Sequence, residues 1–190
     1  MTMRLLSFIS AVCFMLGAHL AIAEPTNRFN MADTSSPRDT LRSFIEATND
    51  TYDLIRKSGY IDRNSPDAHA LVVRILDCID ASELPTFARR DRAADAAAAL
   101  KEILDRVELP PWDEIPDASE IQAAGGDEEL SRWRIPNTRI TIQRAEEGPQ
   151  KYEYLFSPGT VQRALEYYRD IRDRPYRTGG PRTSPGIYDW

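Results

Sequence analysis

The chain has 190 residues, of which 42% are hydrophobic and 28% charged, and its 30 acidic and 24 basic side chains give a formal net charge of −6. This length predicts one domain, at most two, and the ordinary composition excludes collagen-like, coiled-coil-only and wholly disordered chains. A net-acidic chain lacks the electrostatic footprint that binding to a phosphate backbone requires, so we expect no nucleic-acid partner.

The first 23 residues have the layout of a secretory signal peptide. Arg4 supplies a positive start, residues 5–16 are apolar apart from two serines, and Ala21 and Ala23 are small residues that suit a cleavage site. The apolar stretch is shorter than the ~20 residues that a membrane-spanning helix needs. We therefore expect export and cleavage after Ala23.

Removing these residues leaves Cys78 as the one cysteine and His69 as the one histidine. A single cysteine forms no internal disulfide in an oxidising compartment, so we expect the hydrophobic core alone to hold the fold. After residue 23 no apolar run is long enough to cross a bilayer.

Serine-proline pairs predict the starts of three helices, because serine caps a helix and proline suits its first turn. These pairs are Ser36-Pro37, Ser65-Pro66 and Ser157-Pro158, each followed by apolar residues at helical spacing. A further helix is predicted over 88–107, with six alanines among residues 93–99. Such alanines would allow a neighbouring helix to approach closely, but we favour the simpler interpretation that they reflect high helix propensity.

Two alternating segments, 139–145 and 151–156, predict a β-hairpin around a loop of about five residues that contains Gly148-Pro149. Residues 133–135 are a candidate third strand. The predicted fold class is therefore α+β, with three helices in the N-terminal half, then the hairpin or three strands, and a C-terminal helix.

The domain organisation follows from changes in composition. Residues 24–35 are polar and predict a flexible lead, and residues 36–173 predict a single α+β domain. Residues 174–190 predict an extended tail rich in proline, glycine and aromatic residues.

Within the domain, the stretch 105–130 carries nine carboxylates against one arginine. Its prolines and glycines disfavour helix, so we interpret it as a solvated acidic linker with Trp112 and Ile115 anchored in the core. A calcium site is the competing interpretation, but no alternating Asp/Asn loop with the required glycine is present.

The residue types define no catalytic centre. His69 falls in the first turn of the second predicted helix, and Cys78 lies among apolar neighbours, where a free cysteine acts as a small hydrophobe. These two residues do not supply a zinc site, and no particular carboxylate pair is indicated for a glycosidase. We therefore assign no catalytic, cofactor-binding or metal residue and expect a non-enzymatic protein.

The C-terminal part has two features that suit contact with other molecules. Residues 160–190 contain six arginines and four acidic residues, which predict a solvated helix face or contact with lipid head groups or the acidic linker. Tyr176, Tyr188 and Trp190 suit a membrane–water interface, so we expect the tail to lead toward a membrane segment. The alternative is that the tail folds back and buries its rings on the domain.

Four segments of the chain form an ordered set of motifs. The first, 36–47, has the pattern Pro-Arg-x-Thr-hydrophobic-x-x-Phe-hydrophobic-x-Ala, and the others are 78–85, 100–106 and 154–161. In order and spacing they resemble the N-terminal extramembrane region of the bacterial small-conductance mechanosensitive ion channels. The resemblance extends from about residue 36 to residue 190.

The resemblance implies a non-enzymatic sensory or assembly domain in the periplasm, tethered to the inner membrane. In the family this region leads into transmembrane and pore-lining helices, which these 190 residues do not contain, so no pore residue is carried over. We interpret the chain as a fragment or truncated form that joins a homo-oligomer through a downstream channel portion. The alternative is a stand-alone secreted binding module or enzyme of unknown specificity.

Overall fold

The computed structural model describes residues 31–60, 62, 64–126 and 130–189. Within them the chain combines helices with one antiparallel three-stranded sheet, which confirms the predicted mixture of helix and sheet. The elements are α1 (Pro37–Ser58), α2 (Pro66–Asp77), α3 (Arg89–Leu104), α4 (Ala118–Ala123), β1 (Arg132–Arg134), β2 (Thr141–Arg144), β3 (Tyr154–Phe156) and α5 (Pro158–Ile171). In this part of the chain no helix is both long and apolar enough to cross a membrane.

The proposed signal peptide, 1–23, lies outside the described residues, as does the first half of the predicted lead. The end of that lead is fixed on the domain rather than flexible. The Asp33 carbonyl accepts a hydrogen bond from the Ser43 hydroxyl at 3.1 Å, and the Thr34 carbonyl accepts one from the Tyr154 N–H at 2.8 Å. The folded domain therefore begins before Ser36.

The three serine-proline pairs begin α1, α2 and α5 as predicted, but only two of the serines cap their helix. The Ser36 hydroxyl oxygen accepts the Asp39 N–H at 3.1 Å, and the Ser157 hydroxyl oxygen accepts the Thr160 N–H at 3.3 Å. Ser65 precedes α2 without a capping hydrogen bond from its side chain.

Helix α3 is buried on several faces, because it contacts α1, α2, α5 and the C-terminal tail. Its buried residues therefore show no single apolar stripe, and they include Ala93, Ala96, Ala97, Ala99, Leu100, Ile103 and Leu104. Four of the six alanines that the sequence singled out are thus packing residues between neighbouring elements.

The sheet has the order β1-β2-β3, so the hairpin and its candidate third strand are both present. Trp133 pairs with Ile142, and Ile142 pairs with Phe156. The predicted start of β3 at residue 151 is wrong, because Tyr152 has a φ of 79°, in the left-handed region, where an extended strand cannot continue. The connection between β2 and β3 is accordingly longer than five residues.

The last strand, β3, is the centre of the core. The Phe156 ring meets the Phe44 ring edge-on with centroids 4.9 Å apart. The Phe156 N–H donates to the Cys78 carbonyl at 2.9 Å, and the Asp80 N–H donates to the Phe156 carbonyl at 3.1 Å. The Thr40 hydroxyl donates to the Tyr154 carbonyl at 2.6 Å. Strand β3 therefore joins α1, the turn after α2 and the sheet.

The acidic stretch contains a short helix where the sequence predicts a linker. Helix α4 begins with a capping box, in which the Asp117 side chain accepts the Glu120 N–H and the Glu120 side chain accepts the Asp117 N–H. The Arg38 guanidinium pairs with both carboxylates, at 2.7 Å and 3.0 Å. Ile115 is 1% exposed, so its prediction as an anchor is confirmed.

The C-terminal tail returns across the domain. Residues Ile187–Asp189 form one 3₁₀ turn that packs on α3, and the Tyr188 ring lies 5.1 Å from the Tyr168 ring of α5. For Tyr176 and Tyr188 the structure therefore shows the second alternative, in which the tail folds back. Trp190 lies outside the described residues.

Candidate functional site

An apolar groove of about 600 Å³ lies between α1, α2 and α3. Ile55, Val72, Leu76 and Ala98 line it, together with Ile187 from the tail. Its volume falls within the roughly 300–1,000 Å³ of small-molecule sites, and its lining has the mainly apolar character of such sites.

Two threonines of α1 also line the groove, but their hydroxyl groups are already used. The Thr48 hydroxyl donates to the Phe44 carbonyl at 2.7 Å, and the Thr51 hydroxyl donates to the Ala47 carbonyl at 2.8 Å. The α1 wall therefore gives a ligand little directional hydrogen bonding, and the groove favours an apolar occupant.

The edge of the groove carries charged residues of both signs. His69 of α2 and Arg90, Asp91 and Asp95 of α3 line it, and all four are exposed. Within the described residues no group of three or more His, Cys, Asp or Glu side chains is arranged to hold a metal ion.

His69 lies in the first turn of α2 and Cys78 directly follows its last residue, so the two side chains do not form a nucleophile–base pair. The two residues are nine positions apart along α2 and its C-cap, which corresponds to roughly 13 Å of helical rise. The Cys78 side chain is fully buried, and its thiol donates to the Arg74 carbonyl at 3.5 Å. Burial, with a smaller effect of Asp77, raises the pKa of the thiol well above its ordinary value, which suppresses the reactive thiolate.

A buried polar cluster fixes the tail on the C-terminal end of α3. The Lys101 ammonium donates to the Asp105 carboxylate, and the two side chains are 0% and 1% exposed. The Asp105 carboxylate also accepts the Ser184 N–H of the tail at 2.7 Å, and the Arg177 guanidinium lies 3.9 Å from it. Burial lowers the pKa of Lys101, and the Asp105 carboxylate opposes that effect.

A second set of contacts lies beside the first on the same helix. The Glu102 carboxylate accepts hydrogen bonds from the Tyr176 hydroxyl at 2.8 Å and from the Arg106 guanidinium. The same guanidinium lies 3.9 Å from the centre of the Tyr176 ring. The Tyr176 hydroxyl in turn accepts the Gly186 N–H at 3.0 Å. The carboxylates of Glu102 and Asp105 are thus both engaged by the domain's own donors, and the cluster is suited to holding the tail rather than to acid–base chemistry.

The interpretation of 105–130 as solvated surface is wrong for Asp105, which is 1% exposed, and the burial of Lys101 and Glu102 was not predicted from the sequence. The available signal is their spacing, because Lys101 with Asp105 and Glu102 with Arg106 are opposite charges four residues apart on one helix. Such spacing usually marks an exposed helix face. Here the C-terminal tail covers that helix face, and the amino-acid composition alone does not predict that the tail folds over it.

A third feature is an open depression of about 490 Å³ beside β1, β2 and the start of α5. Its lining is polar and includes Arg132, Arg134, Arg139 and Arg163. Three of these arginines precede the C-terminal stretch that the sequence singled out as basic, and only Arg163 belongs to it. The fold therefore assembles a basic patch that the linear charge pattern does not show.

Comparisons of this chain with family models, with curated proteins and with solved structures find no match. The resemblance to mechanosensitive channels therefore rests on the four sequence segments alone.

Proposed function

We propose that this chain is a non-enzymatic periplasmic domain that serves sensing or assembly in a mechanosensitive ion channel, to which a downstream portion contributes the pore. The observation that carries the proposal is the position of the four resembling segments. Three of them, 36–47, 78–85 and 154–161, meet at β3 through the Phe44, Cys78 and Phe156 contacts. A resemblance of residues that build one core supports a shared fold more strongly than scattered matches would.

The fourth segment, 100–106, holds the buried cluster that binds the tail. This supports a mechanical role, because in the proposal the tail is the part of the chain to which the downstream pore is joined. A displacement of the tail acts directly on Asp105 through the Ser184 N–H and on Glu102 through the Tyr176 hydroxyl. Helix α3 contacts α1, α2 and α5, so it would pass the displacement to the whole domain.

The first test is the reading frame that follows codon 190. The proposal expects it to continue into several apolar stretches of about 20 residues, each long enough to span a bilayer. A stop codon directly after codon 190 in the native transcript would contradict the channel proposal for this chain.

The second test is electrical. The full-length product, reconstituted in liposomes, should give pressure-activated currents in excised patches. Asp105→Asn, which weakens the attachment of the tail, should shift the pressure threshold, whereas Asp113→Asn, at an exposed position of the same acidic stretch, should not. Identical thresholds with identical oligomer sizes in all three proteins would exclude both the sensory and the assembly role.

The second candidate function is a stand-alone secreted binding module. The apolar groove between α1, α2 and α3 favours it, because its volume of about 600 Å³ suits a small apolar molecule. Two results together would support this candidate over the channel. The first is a stop after codon 190, and the second is saturable binding of an apolar fluorescent probe to the parent protein that the groove-filling variant Ala98→Leu abolishes.

A further inference from the structure

We propose that the depression beside β1 and the start of α5 is a site for a phosphate group, either free or carried by a lipid head group. Arg132 and Arg134 reach it from β1, Arg139 from the β1–β2 connection and Arg163 from α5. This inference does not depend on the channel proposal, because it rests on the local arrangement of these arginines.

The sheet register places the two β1 arginines on one face. Arg132 lies opposite Gln143 and Arg134 opposite Thr141, while Trp133 between them pairs with Ile142, which is fully buried. Because side chains alternate along a strand, the two arginines share the face away from the core. A slip of one residue would turn both arginines inward, so this placement is strongly specified.

The charge of the depression is opposite to that of the chain. The whole sequence has a net charge of −6, yet among the described residues that line the depression four are arginines and Glu83 is the one carboxylate. Glu83 accepts a hydrogen bond from the Gln162 amide at 2.8 Å. Arg139 pairs at 3.3 Å with Asp170, in an exposed contact that solvent screens strongly.

The remaining three arginines, Arg132, Arg134 and Arg163, are exposed and make no ion pair with any carboxylate of the described part of the chain. Like charges that share a concave surface repel one another, and Glu83, the carboxylate that lines the depression, forms no ion pair with these three arginines. An anion bound among them would supply a counter-charge.

The position of Arg163 adds an independent electrostatic argument. A Cβ atom built on Gly159 would lie 3.4 Å from the Arg163 Nη2 atom, so the guanidinium folds back over the first turn of its own helix. A cation at the start of a helix is disfavoured by the helix dipole. The Ser157 hydroxyl already caps this helix and Pro158 has no N–H, so the arginines rather than the backbone would hold the ligand.

Phosphate is the ligand class that best matches four arginines. The planar guanidinium presents paired N–H donors that match phosphate oxygens in a two-point contact, and several forks can share one phosphate. A volume of about 490 Å³ exceeds a single phosphate, so room remains for the group that carries it.

The test uses the mature chain, inorganic phosphate, glycerol 1-phosphate, and phosphatidylcholine vesicles with and without phosphatidylglycerol. Amide chemical shifts report binding of the soluble probes, and flotation reports binding to vesicles. We expect saturable binding that R132Q/R163Q weakens about tenfold or more, because it removes two charge-assisted contacts. The control R92Q/R169Q removes the same charge from exposed positions elsewhere and should change affinity less than about twofold.

The two probe types distinguish the sources. Saturable binding of the soluble phosphates without flotation on any vesicle identifies a free phosphate ligand. Flotation with the vesicles that contain phosphatidylglycerol, but not with those that lack it, identifies a lipid head group. No binding in either arm, or equal loss in R132Q/R163Q and R92Q/R169Q, would overturn the site. If the double variant does not fold, R132Q and R163Q are measured singly, and each must weaken binding several-fold.

Discussion

Lys101 and Asp105 form an ion pair inside the domain, with side chains 0% and 1% exposed. An ion pair removed from water costs desolvation energy that only good geometry and further hydrogen bonds offset. Here the Ser184 N–H donates to the Asp105 carboxylate at 2.7 Å, and the Arg182 carbonyl lies 3.4 Å from the Lys101 ammonium. The tail therefore completes the pair, and the pair in turn holds the tail.

The first prediction concerns the loss of one charge from this pair. Asp105→Asn leaves the Lys101 ammonium buried without its counter-charge, which should lower the free energy of unfolding by about 3–5 kcal/mol in urea titrations. It should also speed tryptic cleavage after Arg177, because the tail is released.

Two further variants separate the ion pair from other effects of the substitution. Asp113→Asn, at an exposed position, should change stability by no more than about 0.5 kcal/mol. K101M/D105N removes both charges and should be more stable than D105N alone. If D105N is as stable as the parent protein, the burial of this pair is refuted.

The second prediction compares the three serines that precede helices. Ser36→Ala and Ser157→Ala remove capping oxygens and should each cost ~0.5–2 kcal/mol of unfolding free energy. Ser65→Ala should be close to neutral, because the Ser65 side chain caps nothing. Equal losses at all three positions, measured by thermal or urea unfolding, would contradict the capping geometry.

These serines also show how far the sequence predicts the fold. A serine-proline pair marks the start of a helix because proline's fixed φ suits the first turn, so all three starts are predicted correctly. Whether the hydroxyl reaches an N–H depends on the backbone angles that the preceding loop imposes. Those backbone angles depend on tertiary structure, so three serine-proline pairs that are alike in sequence can differ in capping.

The candidate sites were less predictable for the same reason. Asp105 stands in a stretch whose composition predicts solvent exposure, and only the tail, more than 70 residues later, buries it. Arg163 of α5 is likewise distant in sequence from Arg132 and Arg134 of β1, and the fold brings the three to one depression. Local patterns give element types, whereas long-range packing decides which charged groups meet.

The third prediction concerns Cys78 and pH. Burial raises the pKa of its thiol in the folded state, so above the unfolded pKa of about 8.5 the unfolded chain holds fewer protons than the folded chain. Stability must then fall as pH rises, by about 1.4 kcal/mol per pH unit from this group. Below pH 8 the thiol is protonated in both states and contributes no pH dependence.

Cys78→Ala isolates that contribution, since all other titrating groups remain. The difference in unfolding free energy between the parent protein and C78A should be constant below about pH 8 and should decrease above about pH 9. A parallel measurement with a thiol reagent should show slow labelling of the native protein. Rapid labelling, or parallel stability curves up to pH 10, would show that the thiol is accessible.

The fourth prediction concerns the tail's tyrosine. Tyr176→Phe removes the hydroxyl that donates to Glu102 at 2.8 Å and accepts the Gly186 N–H at 3.0 Å. The loss of these two hydrogen bonds, one of them to the buried Glu102 carboxylate, should cost about 1–3 kcal/mol in urea unfolding. Tyr60→Phe, at a residue 63% exposed, is the matched control and should change little. Equal effects of the two substitutions would refute the tail's attachment through Tyr176.

The most direct test of the proposed function is protease accessibility in the cell that expresses the native gene product. A specific protease site is inserted at Gly148, in the exposed connection between β2 and β3, and intact spheroplasts are treated with the protease. A periplasmic domain of a membrane channel predicts cleavage without lysis, with the C-terminal fragment sedimenting with the inner membrane after a urea wash. Protection until the cells are lysed, or release of that fragment into the soluble fraction, would contradict the proposal.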